Sequence, residues 1–596
     1  MLDYIKKNRY LVLVLVLIFG LGIFLRVYHF SDWLHFELDQ SRDAAVVDLA
    51  LNQGIGNLPL LGPKAAGSFL RLGPIFYYFE YLSALVFGHT PAGMTGLNGL
   101  FSILAIPLFY YFARRYFNLK IALALTTLFA TSLFLILYAR FSWNPNSLPF
   151  FILLTMYALL RAVDEAEKRN RWWLTLGAFA MVIATQLHFV AFLGLPAIAI
   201  FFLFIKRPHI QWRYWLAAMA VAVVLYVPMV VNELKTGGDN AKEFVKIFAK
   251  KSTAGDNTLI EKGIKNYTEN SLGYLLMTTS YSGAELPKFR QQGLKMDVVC
   301  DKECRSALAM GVVALIFFSL GIVLLLRQLK KRYFEKPSTQ KDFIMLMVLW
   351  FGMTFILFTP IAYDFAPRFF LLIAALPFVF LGFIFQWLEE KIASKNIFLV
   401  IFASVVILLV TANLVAVGGR FSELARAKTE NFEIGADKIL KEPYRVTLEQ
   451  QQEITDYMEA IYRTNNFPVY VNSEAFYRRS FLYLLENRNI ARDDFRNTQI
   501  TDHIYRNGNY FLIYPKNVNL DSRTSKYAES YDIIAERDFG TLVVFQLQPK
   551  ESSINTLEQE FAPAKKARSA SGVPVRCRWN EIFGQCNPDE VEDGGI

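Results

Sequence analysis

The sequence predicts an α-helical polytopic membrane protein with about eleven transmembrane helices and a small α/β extracytoplasmic domain at its C-terminal end. Three observations predict it. Of 596 residues, 54% are hydrophobic and 15% aromatic while only 19% are charged, a balance rare in a water-soluble protein of this size. The apolar residues fall in long blocks instead of periodic stripes. From about Gly418 onward the composition becomes that of a soluble domain. The formal charge of +10 concentrates in short loops between spans: Arg114, Arg115 and Lys120; Lys206, Arg207 and Arg213; Arg327, Lys330, Lys331 and Arg332. That is how cytoplasmic loops are charged, so the basic balance reports topology; no nucleic-acid motif accompanies it.

Lys6, Lys7 and Arg9 precede the first apolar run, Tyr10 to Tyr28, which therefore runs from the cytoplasm outward. No small-residue cleavage pattern follows it, so it reads as an uncleaved first helix. The next apolar piece, Pro74 to Gly88, carries Glu80 at its middle and is only about 15 residues long, against the roughly 20 that a span needs. Were it to cross, the basic cluster Arg114 to Lys120 would land outside and Trp143-Asn144-Pro145 inside, reversing the charge rule. It is therefore expected as an interfacial helix on the outer face, within a first external loop covering 29–91.

Further spans are expected at Met94 to Phe112, Leu119 to Tyr138, Leu148 to Val163, Trp172 to Leu187, and Phe189 to Ile205, the last two being one long run split at His188. Then come Tyr214 to Val231, Leu308 to Leu326, Phe343 to Pro360, Phe369 to Leu388 and Ile397 to Val417. An odd number of crossings puts the C-terminal end outside. A second large external loop, 232–305, contains Ala241 to Lys251, patterned as a basic amphipathic helix.

The membrane domain thus covers 1–417, the α/β domain 418–549, and a polar tail expected to be disordered 550–596. In the α/β domain, Thr447-Leu-Glu-Gln450 is a capping box opening a helix to about Arg463. Phe467 to Val471 reads as a strand, Glu474 to Glu486 as a helix, and Tyr510 to Tyr514 and Leu542 to Leu547 as strands. Cys300, Cys304, Cys577 and Cys586 would all lie outside, where disulfides are permitted. A local disulfide or free thiols suit Cys300 and Cys304 better than half a metal site, because no His or further Cys stands beside them.

The stretch from His35 to Asp43, His-Phe-Glu-Leu-Asp-Gln-Ser-Arg-Asp, crowds Glu37, Asp39 and Asp43 with Arg42 at a membrane face. Carboxylates placed there act as bases on lipid-borne substrates when partial burial tunes them. The bland alternative is a solvated acidic loop.

The order and spacing of several short motifs carry a resemblance. Phe36-Glu37-Leu38-Asp39-Gln40-Ser41-Arg42-Asp43 is followed by Leu60-Leu61-Gly62-Pro63 and by Leu72-Gly73-Pro74 leading into Phe76-Tyr77-Tyr78. Tyr110 to Arg115 ends the second span, and Arg140-Phe141-Ser142-Trp143-Asn144-Pro145 closes the third. This resembles the GT-C class of membrane-embedded glycosyltransferases, in particular the branch of protein O-mannosyltransferases and bacterial aminoarabinose transferases. It covers about the first 200 residues well and the later spans by layout only.

The resemblance implies transfer of a sugar from a polyprenyl-phosphate carrier to a glycan, lipid or protein hydroxyl on the outer face, with inversion, in a bacterial inner membrane. Asp39 matches the family's acidic position and is the expected base. Asp43 is second, one turn on and on the same face if the segment is helical. The leaving phosphate calls for cations, for which Lys64, Arg71, Arg140 and Arg368 are the candidates. Arg368 is the strongest because it opens a span; its alternative is snorkelling or pairing with Asp364.

Some relatives place a second acidic residue where this chain has Asn144, which puts a two-carboxylate metal site in doubt, and no metal or other cofactor is expected to be required. Glu37, Trp143, Asn144 and His188 are candidates for sugar or acceptor contacts. A Trp at an interface is otherwise an anchor, and a lone His at a helix end is otherwise structural. Two rival readings remain: a lipid or polysaccharide transporter, which would more often show repeats and midspan polar breaks, and a surface-polysaccharide polymerase or ligase.

Overall fold

The computed structural model of the chain describes residues 9–65, 68–166, 170–249, 257–292, 295–495, 504–554 and 575–586. Lys6 and Lys7, named above for the first span, and Lys251, the expected end of the amphipathic helix, lie outside them.

Every apolar run expected to cross is helical over most of its length. Seven helices among the described residues are long and apolar enough to cross a membrane, and nine if each of two bent pairs is one span. The count of eleven therefore rests on two further helices, Leu148–Ala162 and Asn170–Leu187, of 15 and 18 residues. At 1.5 Å per residue, a 15-residue helix is about 22 Å long, short of a hydrocarbon core of about 30 Å. Ile75–Phe87, expected not to cross, is a helix of 13 residues.

Both bent pairs break where a polar group from another helix takes up the freed backbone. Leu119–Thr131 and Leu133–Ala139 meet at 51°. There Ser280 Oγ accepts from the Leu133 N–H at 3.0 Å, and Ser132 Oγ donates to the Met277 carbonyl at 2.7 Å. Pro367–Ile373 and Leu376–Lys391 meet at 59°, where the Trp350 indole donates to the Leu372 carbonyl at 3.2 Å.

The expected second external loop holds a 21-residue helix, Leu259–Thr279, that the apolar pattern does not show. It opens on a Thr258 capping box and buries polar side chains: Asn266 Nδ2 donates to the Phe355 carbonyl at 2.9 Å and to Thr359 Oγ1 at 3.0 Å. The amphipathic helix is present as Asp239–Ala249. Its Phe244 packs on Phe189 and Phe192, with ring centroids 6.0 and 5.7 Å apart. Between these helices and the next span, β1 (Lys288–Gln292) pairs with β2 (Lys295–Val299) as an antiparallel hairpin. Cys300 and Cys304 are disulfide-bonded, as are Cys577 and Cys586.

The last span, Lys395–Arg426, runs past residue 417, where the composition changes. The domain beyond it is a five-stranded sheet in the order β4-β3-β5-β7-β6, with β3 Val469–Ser473, β4 Arg492–Asp494, β5 Asn509–Pro515, β6 Tyr531–Phe539 and β7 Leu542–Pro549. β3 is parallel to β4 and β5, while β7 runs antiparallel to β5 and β6. β4 and β6 are the strands that no apolar pattern announces: both are edges, and the interior of β6 is mostly exposed, so neither carries the apolar run of a buried strand. The Thr447 box opens the helix Leu448–Asn465, and Ala475–Asn487 follows β3.

This domain packs directly on the first loop. Gln451 Nε2 and Ser480 Oγ both donate to the Phe36 carbonyl, at 2.8 and 3.2 Å, and the Phe36 and Tyr483 rings lie 5.4 Å apart. Residues 575–586 fall in the stretch 550–596 expected to be disordered, yet they are ordered against the first loop. The Cys577 carbonyl accepts from the Leu60 N–H at 2.8 Å, and Cys577 itself is buried. The rest of that stretch beyond residue 554 lies outside the described residues.

Candidate active site

Residues Leu38–Gln53 form a helix whose first turn is the acidic motif. It is closed at its start by Gln40 Oε1, which accepts from the Glu37 N–H at 3.2 Å. Asp39 and Asp43 are thus one turn apart on one face, and Arg42 joins them. Arg42 Nη1 donates to Asp39 Oδ1 at 2.8 Å, while Nε and Nη2 form a bidentate pair with the two Asp43 oxygens at 2.9 Å each. Asp43 is fully buried and also accepts from Tyr77 Oη at 3.0 Å, whereas the Asp39 side chain is 36% exposed.

Beside this turn lies a small cavity, open at its mouth. His35, Glu37 and Gln40 form one wall and Tyr138, Phe141 and Trp143 a second; Ala366, Pro367 and Arg368 supply a third, and Ile439, Leu440 and Lys441 close it. Two of these walls are the end of the first bent pair and the start of the second, which place Tyr138 and Arg368 at the cavity. The Arg368 guanidinium stacks on Trp143, 5.0 Å from the ring centroid, a cation–π contact that fixes the charge without neutralising it. Asp39 stands close enough for its charge to act on Arg368.

His35 is pinned between two carboxylates: Nε2 lies 3.4 Å from Glu37 Oε1, and Nδ1 lies 2.6 Å from Glu442 Oε1. Burial opposes its charge, but Glu37 and Glu442 outweigh burial and push the imidazole up to about 10. His35 is therefore an imidazolium at neutral pH. Burial likewise opposes ionisation of Glu442, and His35, Arg420 and Arg445 overcome it, holding this carboxyl well below the usual range. The cavity thus joins one acidic turn to three cations: His35, Arg368 and Lys441.

A family model described as dolichyl-phosphate-mannose-protein mannosyltransferase matches residues 72–231. Among solved structures, the chain is similar to ArnT from Cupriavidus metallidurans bound to undecaprenyl phosphate, at 12% identity and a TM-score of 0.50, over 92% of this chain and 99% of that one. The chain has the GT-C fold of membrane glycosyltransferases. The apo state of the same ArnT is similar at 11% identity and a TM-score of 0.48, over 92% of this chain and 100% of that one. AglB, an archaeal oligosaccharyltransferase from Archaeoglobus fulgidus in complex with an inhibitory peptide and a dolichol-phosphate, is similar at 11% identity and a TM-score of 0.47, over 88% and 71%. Nothing among curated proteins matches the sequence.

On this GT-C scaffold the candidates from the sequence divide. Glu37, Trp143 and Arg368 line the cavity, and Asp39 and Asp43 sit on the turn beside it. Arg140 is turned elsewhere, correcting the phosphate role expected of it. Its guanidinium is buried and donates to the carbonyls of Arg26 and His29 at 3.1 Å each, closing the end of the first helix, and it stacks on Phe421. Asn144 donates to the Leu187 carbonyl at 2.7 Å. His188 caps the helix Phe189–Lys206, with Nδ1 accepting from the Val190 N–H at 3.2 Å, and lies edge-on to Phe369. Neither is among the residues that line the cavity, where sugar contacts were expected.

Lys64 and Arg71 face each other across an antiparallel bridge in the first loop. The Arg71 backbone exchanges two hydrogen bonds with the Asn240 side chain, at 2.7 and 3.1 Å, which locks this hairpin to the amphipathic helix instead of the cavity.

Sequence reasoning missed Lys441, Glu442 and the role of His35. His35 is in the acidic stretch, but its partner is 407 positions away, counted as 442 − 35, and no local pattern announces such a pairing. Among the described residues, no group of three or more His, Cys, Asp or Glu is arranged to hold a metal ion.

Proposed function

We propose that the chain transfers a sugar from a polyprenyl-phosphate carrier to a hydroxyl acceptor, with inversion, on the extracytoplasmic face of a bacterial inner membrane. The observation that carries this reading is the meeting, at one cavity, of Glu37 and Gln40 from the acidic turn with Arg368 and Lys441, while Asp39 on the same turn stands near enough to act on Arg368. ArnT with bound undecaprenyl phosphate and AglB with bound dolichol-phosphate and a peptide are similar in fold, which suits a lipid-linked donor and leaves the acceptor a glycan, lipid or protein.

In this mechanism the acceptor oxygen attacks the anomeric carbon from the side opposite the phosphate. Asp39 takes the hydroxyl proton as the new C–O bond forms. The bond from the anomeric carbon to the phosphate oxygen breaks, and its electron pair leaves with the polyprenyl phosphate. Arg368, half-buried, and Lys441, at the open side of the cavity, meet the negative charge that grows there. Glu37 and Trp143 are placed to contact the sugar, Trp143 by stacking, with the Arg368 guanidinium already on one of its faces.

The test is sugar release from a panel of radiolabelled polyprenyl-phosphate monosaccharides by purified protein in nanodiscs, comparing wild type with Asp39→Asn. Turnover should fall by about 10²- to 10⁴-fold in the variant while undecaprenyl phosphate still binds. Wild-type protein that is folded and binds no polyprenyl phosphate would sink the proposal and return weight to transport.

A further inference from the structure

Behind the acidic turn stands a residue from the far end of the sequence. Arg576 is only 4% exposed. Its Nη1 donates to Tyr77 Oη at 3.1 Å, and its guanidinium lies 5.2 Å from the centroid of the same ring. Tyr77, fully buried, donates in turn to Asp43. The chain of contacts therefore reads Arg576, Tyr77, Asp43, Arg42, Asp39, each step a hydrogen bond of 2.8 to 3.1 Å.

The segment that presents Arg576 is held on three elements. Asn232 Oδ1, near the end of the helix Trp212–Thr236, accepts from the Cys577 N–H at 2.9 Å. Leu60 in the first loop bonds the Cys577 carbonyl, and the Trp579 indole donates to Tyr78 Oη at 2.9 Å. The Cys577–Cys586 disulfide closes the segment into a loop.

A clasp needed only for stability is better made with an apolar side chain, because taking a guanidinium out of water costs several kcal/mol. Buried charged groups instead fix geometry, and here the geometry fixed is that of the carboxylates at the cavity. We infer that Arg576 is a positioning residue: through Tyr77 it sets Asp43, and through Asp43 and Arg42 it holds Asp39 where the acceptor proton is taken. The inference rests on the glycosyltransferase reading above.

The test uses the full chain in nanodiscs and compares kcat and donor KM for wild type, Arg576→Gln, Arg576→Lys, Tyr77→Phe and the double variant Arg576→Gln/Tyr77→Phe. Displacing a reacting group by about 1 Å costs on the order of 100-fold, so Arg576→Gln should lower kcat by roughly 10- to 100-fold with donor KM unchanged. Arg576→Lys should recover most of the loss. The double variant should be no worse than the poorer single variant, since both act through one contact.

Unchanged kcat, a loss confined to KM, or additive losses would each overturn the inference. If Arg576→Gln does not assemble, Arg576→Lys and Tyr77→Phe carry the same comparison. Failure of the parent reading is distinguishable, because wild type itself then turns over no donor. In that case hydrogen exchange of Leu38–Gln53 decides: faster exchange in Arg576→Gln or Tyr77→Phe supports positioning, and exchange equal to wild type in both overturns it.

Discussion

His35 and Glu442 form an ion pair at 2.6 Å that joins the first loop to the connector entering the C-terminal domain. Glu442 is at the same time the acceptor for Arg420 Nη1 at 2.9 Å and Arg445 Nη1 at 2.8 Å. The mouth of the cavity is therefore welded to the last span and to the connector by buried charge, and its stability depends on pH. The pKa of His35 is raised from its ordinary 6.5 to about 10, so its stabilisation is complete below about 6.5 and disappears as pH rises through about 10. Glu442 is shifted the other way from its ordinary 4.5; its contribution is complete above that value and is lost in acid.

Thermal unfolding of wild type and His35→Gln across pH should accordingly show the largest gap near pH 5 to 6, closing as pH rises toward about 10. A gap that stays constant over that range would contradict the imidazolium. Glu442→Gln, which leaves two buried guanidinium groups short of a partner, should cost about 3–5 kcal/mol.

Arg368 and Arg140 separate binding from structure. Arg368→Ala should weaken undecaprenyl phosphate binding by roughly 10- to 100-fold, the worth of a charge-assisted contact of about 1.5–3 kcal/mol. Arg140→Ala should leave that affinity unchanged and lower stability by about 1–3 kcal/mol, because carbonyls at the end of the first helix lose their donor. Calorimetric titration with the lipid, beside a melting curve, checks both; the opposite pattern would exchange their roles.

Gly62 sits where the first loop folds back on itself. A Cβ at this position would lie 2.1 Å from the Gly73 carbonyl oxygen, a backbone atom. Gly62→Ala should therefore destabilise the loop by about 1–3 kcal/mol and reduce turnover, whereas Gly20→Ala, which meets open space, should do neither. Melting curves and turnover for the two variants make the comparison.

The side of the membrane that the cavity faces is open to direct labelling. Both cysteine pairs are disulfide-bonded, which keeps background low. Glu529→Cys, exposed in the sheet domain, should react with a membrane-impermeant maleimide on right-side-out vesicles, and Asn118→Cys, exposed between spans, only after permeabilisation. The reverse result would put the cavity on the cytoplasmic face.

What the sequence by itself determined is what apolar length and local chemistry determine. Runs of apolar residues long enough to span must become helices, because an unpaired backbone group in hydrocarbon is too costly. The capping box at Thr447 and the apolar cores of β3, β5 and β7 are equally local, and so is the acidic turn with Asp39 and Asp43 one helical turn apart. Arg368 and Trp143 were legible because charge and aromatic side chains at the mouth of a span are expensive or specialised.

The tertiary structure alone decided which polar groups face the cavity and which are consumed in holding it. Arg140, Asn144 and His188 carry the same residue chemistry as binding groups, yet they terminate helices, because free carbonyls and N–H groups lie within reach of them. Leu259–Thr279 stayed hidden for the converse reason: its buried asparagines look like loop residues until Phe355 and Thr359 are beside them. Lys441, Glu442 and Arg576 come from the connector and the far end of the chain to meet the first loop. Such meetings are set by packing and by the pairing of buried charges, and no window along the sequence contains both partners.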